Sequence, residues 1–383
     1  MNNKNIFLLI AGLSLSFALP TYSFATETKE EDDGYASRLA LANEIKKYRA
    51  MRKELPIPPP AGLFGVYAFP EEGQFAAGIN MQNFKFSGML QGSNSISAEE
   101  VVASVANPFF GDAGQPPTLR VVPESAEATV IYPFINYSLN KKISLVAMAP
   151  MIKKSTVLET FNGPGTASLG LNEVNSSGLG DIKMGAIYKF FNSPDRRHNV
   201  IFDIVLGVPT GSITEEDYNL TPANTMVLSR LAYGMQLGSG TWDAIVGGTY
   251  WGKSQKWGWG TQYLATIPLE SSNSEGWKYG DKHELTSWVS YAWEPTFNSS
   301  LRLRGESQGT IVGIDPKIYG PGLGADTDNY GGTKVEFIIG SNWMYAAGYN
   351  ISLEFSIPIM EDRNGVQPDQ DSAVMLSWRT ASF

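Results

Sequence analysis

The sequence predicts an all-β chain, a transmembrane antiparallel β-barrel of about 12 strands, or 14 if residues 62–69 pair as well, behind a short N-terminal periplasmic helix. Three observations predict it. Segments of about ten residues alternate apolar and polar side chains, the links between them alternate short and long, and the first residues read as an export signal.

Composition agrees with the fold class. The chain has 383 residues, 12% of them aromatic and 17% charged, where a soluble domain carries roughly a quarter charged. A mean hydropathy of −0.15 and the lack of a second long apolar run exclude a helical membrane protein. The net charge of −9 becomes −10 once Lys4 leaves with the signal, which argues against a nucleic-acid partner. With no cysteine, the chain carries neither a disulfide nor a lipidated N-terminal cysteine.

Taken in order, residues 1–25 carry Lys4, an apolar run from Ile6 to Leu19 and the small-x-small ending Ser23-Phe24-Ala25, which reads as a secretory signal peptide cut after Ala25. Residues 26–61 hold an acidic stretch, Glu27 to Asp33, then a helix over Ala36 to Glu54 with Leu41, Ile45 and Tyr48 on one face. The run Pro56-Ile57-Pro58-Pro59-Pro60 stops the helix and forms a stiff linker. The helix reads as a plain periplasmic element, a short coiled-coil contact or a plug inside the barrel. The barrel itself is placed over residues 62–383.

The clearest strand is GLGDIKMGAIYKFF, from Gly178 to Phe191. Ile182, Met184, Ala186, Tyr188 and Phe190 share one parity and Asp181, Lys183, Gly185 and Lys189 the other, with Ile187 as the one apolar intruder. A soluble sandwich could use the same alternation. Segment length and link sorting favour the membrane, with strands expected at 74–89, 128–138, 142–154, 180–191, 198–208, 238–251, 257–269, 283–294, 299–311, 333–344, 348–358 and 372–383. Links near 139–142, 192–197, 252–256, 295–299 and 345–347 are short, and those at 90–127, 155–178, 209–237, 270–282, 313–332 and 360–371 are long. Met226 to Gln236 is left in an outer loop, because counting it as a strand would put a long link on the wrong side. The short turns then face the periplasm and the long loops the exterior.

Lipid explains why charges keep to one parity, since a lysine or arginine on the lipid face near the midplane costs roughly 2–4 kcal/mol. Tyr188, Phe190, Phe191, Tyr291, Trp293, Trp343, Tyr345 and Tyr349 crowd strand ends as an interfacial girdle would. The terminal Phe383 matches the signal by which bacterial barrels reach their assembly machinery, although Val374, Leu376 and Trp378 sit on the opposite parity; a bulge near Arg379 would reconcile them.

Several stretches together carry a resemblance. Tyr132-Pro133 with Ala149-Pro150, the strand start Gly178-Leu179-Gly180-Asp181, and the strand end Val208-Pro209-Thr210-Gly211 occur in order. Gln236 to Trp242, Trp257-Gly258-Trp259-Gly260 and Tyr279-Gly280-Asp281 before Trp288 follow them. Over most of Ala128 to Phe383 this resembles the outer-membrane proteins grouped as the MetA pathway of phenol degradation family, which lie near the long-chain fatty-acid transporters. The resemblance implies a bacterial outer-membrane channel or transporter for small hydrophobic or aromatic molecules, with outer-membrane lipid, a small-molecule solute and the barrel assembly machinery as partners. A closed-lumen surface barrel, acting as adhesin or scaffold through its long loops, is the alternative.

The expected lumen residues are Asp181, Lys183, Lys189, Asp203, Glu284, Arg302, Arg304, Glu306, Lys334, Glu336 and Glu354. They form either a selective constriction or a set of pairs that neutralise one another. Arg302 and Arg304, across from the strands of Glu336 and Glu354, are the best candidates for both. The loop aromatics Phe109, Phe110, Trp277 and Tyr279 either collect greasy solutes or pack the loops. The two histidines, His198 and His283, fall at opposite membrane faces and cannot share a metal or catalytic site, so no enzyme activity, metal or cofactor is expected. His283 beside Asp281 and Glu284 is the one conceivable acid–base group, and a barrel hydrolase is the third reading.

Overall fold

The computed structural model describes residues 57–195 and 197–380. The expected signal peptide, the helix Ala36–Glu54 and the terminal Phe383 lie outside the described residues.

The wall is one antiparallel sheet closed on itself. Its elements are β1 (Phe75–Gly92), β3 (Val121–Ser138), β4 (Ile143–Met148), β7 (Ile182–Asn192), β8 (His198–Val208), β11 (Asp243–Ser254), β12 (Trp257–Pro268), β14 (Lys282–Glu294), β15 (Phe297–Gln308), β17 (Gly332–Ala346) and β18 (Tyr349–Thr380). These eleven pair in that order, and β18 returns to β1. The 32-residue β18 crosses twice: Tyr349 to Arg363 pairs with β17, and Val366 to Arg379 pairs with β1. It folds back at Asn364-Gly365, where Gly365 has φ 55°, the left-handed geometry that an Asn-Gly hairpin turn requires. The return leg lies against the outgoing one, so the Arg379 guanidinium reaches Asn350 Oδ1 at 2.7 Å and Ser352 Oγ at 2.9 Å. Eleven elements with one crossing twice make twelve passes through the wall.

Parity is inside out relative to a soluble protein. Ile204 is 66% exposed while its neighbour Asp203 is 1% exposed. Leu353, Phe355 and Ile357 also face outward, whereas Glu336 is fully buried. Such an apolar exterior is stable only against lipid. Around the short-turn end runs a chain of rings: Trp257 to Tyr291 and Tyr291 to Trp293 at 4.8 Å, Trp343 to Tyr345 at 5.9 Å, Tyr345 to Tyr349 at 6.0 Å and Tyr349 to Trp378 at 6.4 Å. A register shift between Lys189 and Phe191 turns Phe191 outward beside Phe190.

The outer end departs from the expected loops. Residues 155–178 are a hairpin, β5 (Met151–Phe161) with β6 (Ser168–Leu179). β4 breaks into β5 at Ala149-Pro150, and β6 into β7 at Gly180-Asp181. Proline contributes no N–H to a ladder, and its carbonyl instead accepts from Gly180 at 2.8 Å. The hairpin stands above the lipid, so its second strand, SLGLNEVNSSGL, lacks the apolar alternation by which wall strands are read. The free edge of β6 is covered by β9 (Glu216–Leu220), paired in turn with β10 (Met226–Arg230), a two-stranded sheet apart from the wall. Met226 to Gln236 thus stays outside the barrel ring.

Residues 90–127 contain β2 (Asn94–Ile96), α1 (Ala98–Ser104) and the start of β3. The side chain of Ser97 accepts from the Glu100 N–H and the Glu100 carboxylate from the Ser97 N–H, closing a capping box. Residues 360–371 continue as strand around the Asn364-Gly365 turn rather than as loop. The register of β18 with β1 runs unshifted from Ala373 through Arg379, and Ala381 to Phe383 lie outside the described residues. Residues 62–69 form no strand, and fourteen strands are not made.

Candidate functional site

Residues 57–70 run inside the barrel. Three prolines, Pro58, Pro59 and Pro60, lack N–H donors and keep this stretch extended, leaving carbonyls for the wall to bind. Asn298 donates to Pro58 O at 3.2 Å, Asn136 to Tyr67 O at 3.5 Å and Ser138 to Pro70 O at 3.0 Å. Gln262 holds Phe64 twice, accepting from its N–H at 3.1 Å and donating to its carbonyl at 2.7 Å. Arg379 stacks 3.5 Å over the Tyr67 ring, whose hydroxyl bonds Pro59 O. Partners on both sides of the lumen therefore grip the segment.

Its apolar side chains explain the intruder in the wall pattern. Leu63, Val66 and Ala68 pack with Val146, Ile187, Ile201, Val205, Ile245 and Trp288 in one buried cluster. Ile187 faces the lumen because an apolar segment of the same chain fills it. Two glycines set the close approaches. The Gly62 N–H donates to Glu354 at 3.0 Å, and a Cβ there would lie 2.6 Å from Arg302 Nη2. Gly65, at φ 70°, would place a Cβ 2.2 Å from Asp203 Oδ1.

Seven of the expected lumen charges meet on one wall. Arg302 pairs with Glu354, and Arg304 with Glu336. Gln370 donates to Glu336 at 2.9 Å and accepts from Lys334 at 2.8 Å. Lys282 adds Glu306 at 3.1 Å and Glu284 at 3.4 Å. The charges compensate one another, which is how buried ions are retained. Asp203, Asp181 and Lys183 lie elsewhere. Both oxygens of Asp203 are buried without a hydrogen-bond partner, facing Gly65. Asp181 accepts from Gly211 N at 2.9 Å, Ser239 N at 2.7 Å and Ser239 Oγ at 2.9 Å, anchoring the long loop after β8. Lys183 is half-buried on β7 and makes no ion pair among the described residues.

Beyond the segment, at the outer end, lies a cavity of about 450 Å³. Phe86, Leu158, Val174, Leu231, Met235 and Leu323 give it a largely apolar wall, with Lys154 at its edge. Lys154 is turned to the carbonyls of Gly234 and Gln236 at 2.8 and 2.6 Å. The size falls within the usual range for small-molecule sites, about 300–1,000 Å³.

A roof of loops stands beside the cavity. Trp277 is fully buried, 5.0 Å from the Tyr233 ring and 5.1 Å from that of Tyr279, while Tyr279 donates to Tyr233 O at 2.9 Å. Burial raises the Tyr279 and Tyr330 phenols above their ordinary value, so both keep their protons and donate. Arg230 ties the loops together through Asp315 at 2.9 Å and Glu275 at 3.3 Å. Phe109 packs 4.6 Å from the Tyr319 ring, and Phe110 stands 65% exposed. Of the four loop aromatics, three pack loops and one meets water. Trp277→Ala should cost about 3–5 kcal/mol of local packing and open the outer loops to limited proteolysis while the barrel still resists heat in detergent.

His198 Nδ1 lies 2.9 Å from the Tyr250 hydroxyl, and His283 Nδ1 lies 2.8 Å from that of Tyr263. The luminal segment and the cavity walls went unnamed in the sequence. Ile187 was the signal that could have found the first.

No family model and no curated protein matches the chain. Among solved structures, an outer membrane channel from Pseudomonas putida F1 superposes with a TM-score of 0.52 at 13% identity, over 83% of this chain and 98% of that one. The fold is that of an outer-membrane β-barrel. A Pseudomonas aeruginosa FadL homologue gives 0.44 at 10% identity over 86% and 95% of the two chains. The P. putida toluene transporter TodX gives 0.40 at 10% over 82% and 91%.

Proposed function

We propose that this barrel is an outer-membrane channel that admits small hydrophobic molecules from the exterior and is closed at rest by its own residues 57–70. The observation that carries the reading is the presence of two features in one barrel: an apolar cavity of about 450 Å³ lined by residues of the outer end, and a lumen filled by the chain itself. A molecule that leaves water for the cavity gains roughly 25 cal/mol for each Å² of apolar surface it buries. The paired charges around Arg302 leave little net field to select an ion, which suits an uncharged solute. Kinship with the phenol-degradation MetA grouping belongs to this proposal, as do roles for the candidate lumen residues and a non-enzymatic activity.

The surface-scaffold reading draws on one observation, the exposed Tyr218, Met226, Val227 and Leu228 on the β9–β10 hairpin. Uptake into proteoliposomes separates the two. The channel should accelerate entry of a small uncharged aromatic over a sugar of similar size, and a scaffold should accelerate neither.

A further inference from the structure

Charge on the periplasmic rim is divided by halves. The link from β3 to β4 carries Lys141 and Lys142, that from β7 to β8 carries Arg197, and that from β11 to β12 carries Lys256, with Lys253 just before it. These three hairpins are neighbours around the barrel. The remaining periplasmic connections, 70–74, 295–296 and 347–348, contain no lysine or arginine, and the first contains Glu71 and Glu72. One arc of the rim is basic and the other is not.

Lys141, Lys142, Arg197 and Lys256 are all exposed. Asp195 lies 3.6 Å from Arg197, with both side chains more than half exposed and the pair correspondingly weak. Height is fixed by the residues around them. Leu139, Phe190 and Trp257 point outward at the ends of the same hairpins, and Lys256 Nζ lies 5.8 Å from the ring centroid of Tyr291 in the girdle. Aromatic side chains of this kind sit at headgroup level, and long cationic side chains beside them extend their charge into the headgroups.

From this arrangement we infer that the β3-to-β12 arc of the periplasmic rim is a docking surface for anionic phospholipid headgroups of the inner leaflet. The cations are spread one hairpin at a time along the margin where lipid meets water, each turn facing a different headgroup. A compact patch turned toward the periplasm would suit an acidic protein instead. Lysine and arginine beside an anionic leaflet add attraction roughly per residue. The arc would thus gather phosphatidylglycerol around one half of the barrel.

The test is native mass spectrometry of the full mature protein released from mixed phosphatidylglycerol and phosphatidylethanolamine membranes. The wild type should retain phosphatidylglycerol over phosphatidylethanolamine by about fivefold, falling toward parity in 1 M salt as the headgroup attraction is screened. A Lys141→Gln, Lys142→Gln, Arg197→Gln, Lys256→Gln variant, verified as folded by heat-modifiable migration, should show parity in low salt. Glu71→Gln with Glu72→Gln should leave the preference in place. Equal retention by the wild type, a preference indifferent to salt, or a preference surviving in the fourfold variant would overturn the proposal. If the variant does not fold, the wild-type salt series decides alone. Capture of an acidic peptide without lipid preference would also overturn it.

Discussion

A chain lacking everything before Glu71 should conduct, with single-channel conductance raised by roughly tenfold or more over the full mature protein in planar bilayers. The expectation follows from how the segment is held. It bridges the lumen from Gln262 and Asn298 to Asn136 and Ser138, and its apolar residues fill the space in front of Ile187, Ile201 and Val205. Its removal leaves those polar side chains and the Arg302–Glu354 pair facing water, a lining that supports a continuous water column. The fold should survive, since the twelve-pass ladder does not include the segment. Unchanged low conductance from a verified barrel would place the barrier elsewhere.

The second large effect belongs to the same contact. Glu354→Ala should destabilise the barrel by about 3–5 kcal/mol in a urea unfolding series, because it leaves the Arg302 guanidinium buried without its carboxylate. It also removes the acceptor of the Gly62 N–H, so the segment should loosen and the open time of the channel rise. Arg302→Met combined with Glu354→Leu should recover most of the stability, since replacing both ions with apolar groups removes the desolvation cost together with the attraction. A double variant as unstable as Glu354→Ala would show that the pair is not the source of the effect.

The wall was legible in the sequence because lipid acts on every second residue. Leu353, Phe355 and Ile357 against Ser352, Glu354 and Ser356 could be assigned to faces from the alternation, and the structure puts them there. Asn364-Gly365 was hidden inside an expected loop, although that dipeptide is a strong hairpin signal. The β5–β6 hairpin was missed for a physical reason: once strands leave the lipid, neither face is required to be apolar.

The charge pairing of the lumen was half legible. Arg304 and Glu336 face each other across β15 and β17, so strand order suggests their meeting. Arg302 and Glu354 sit on strands separated by β17, so their contact depends on side-chain reach. The luminal segment was the least legible part. Residues 62–69, GLFGVYAF, are apolar with no strand partner, and their burial depends on a lumen that exists only after the barrel closes. Trp277 and Tyr279 show the same limit, since whether a loop aromatic collects solute or packs a neighbour is set by tertiary contacts.

The most direct measurement is equilibrium binding of a small uncharged aromatic to the folded full-length protein, compared with an Ala126→Phe variant. Ala126 lines the outer cavity, and a phenyl ring there would project into its apolar space and narrow it. The wild type should bind saturably, and the variant should lose at least about tenfold in affinity, or roughly 1.4 kcal/mol, with the barrel intact. Equal binding by both proteins, or none by the wild type, would contradict the assignment of the cavity as the place where the solute enters.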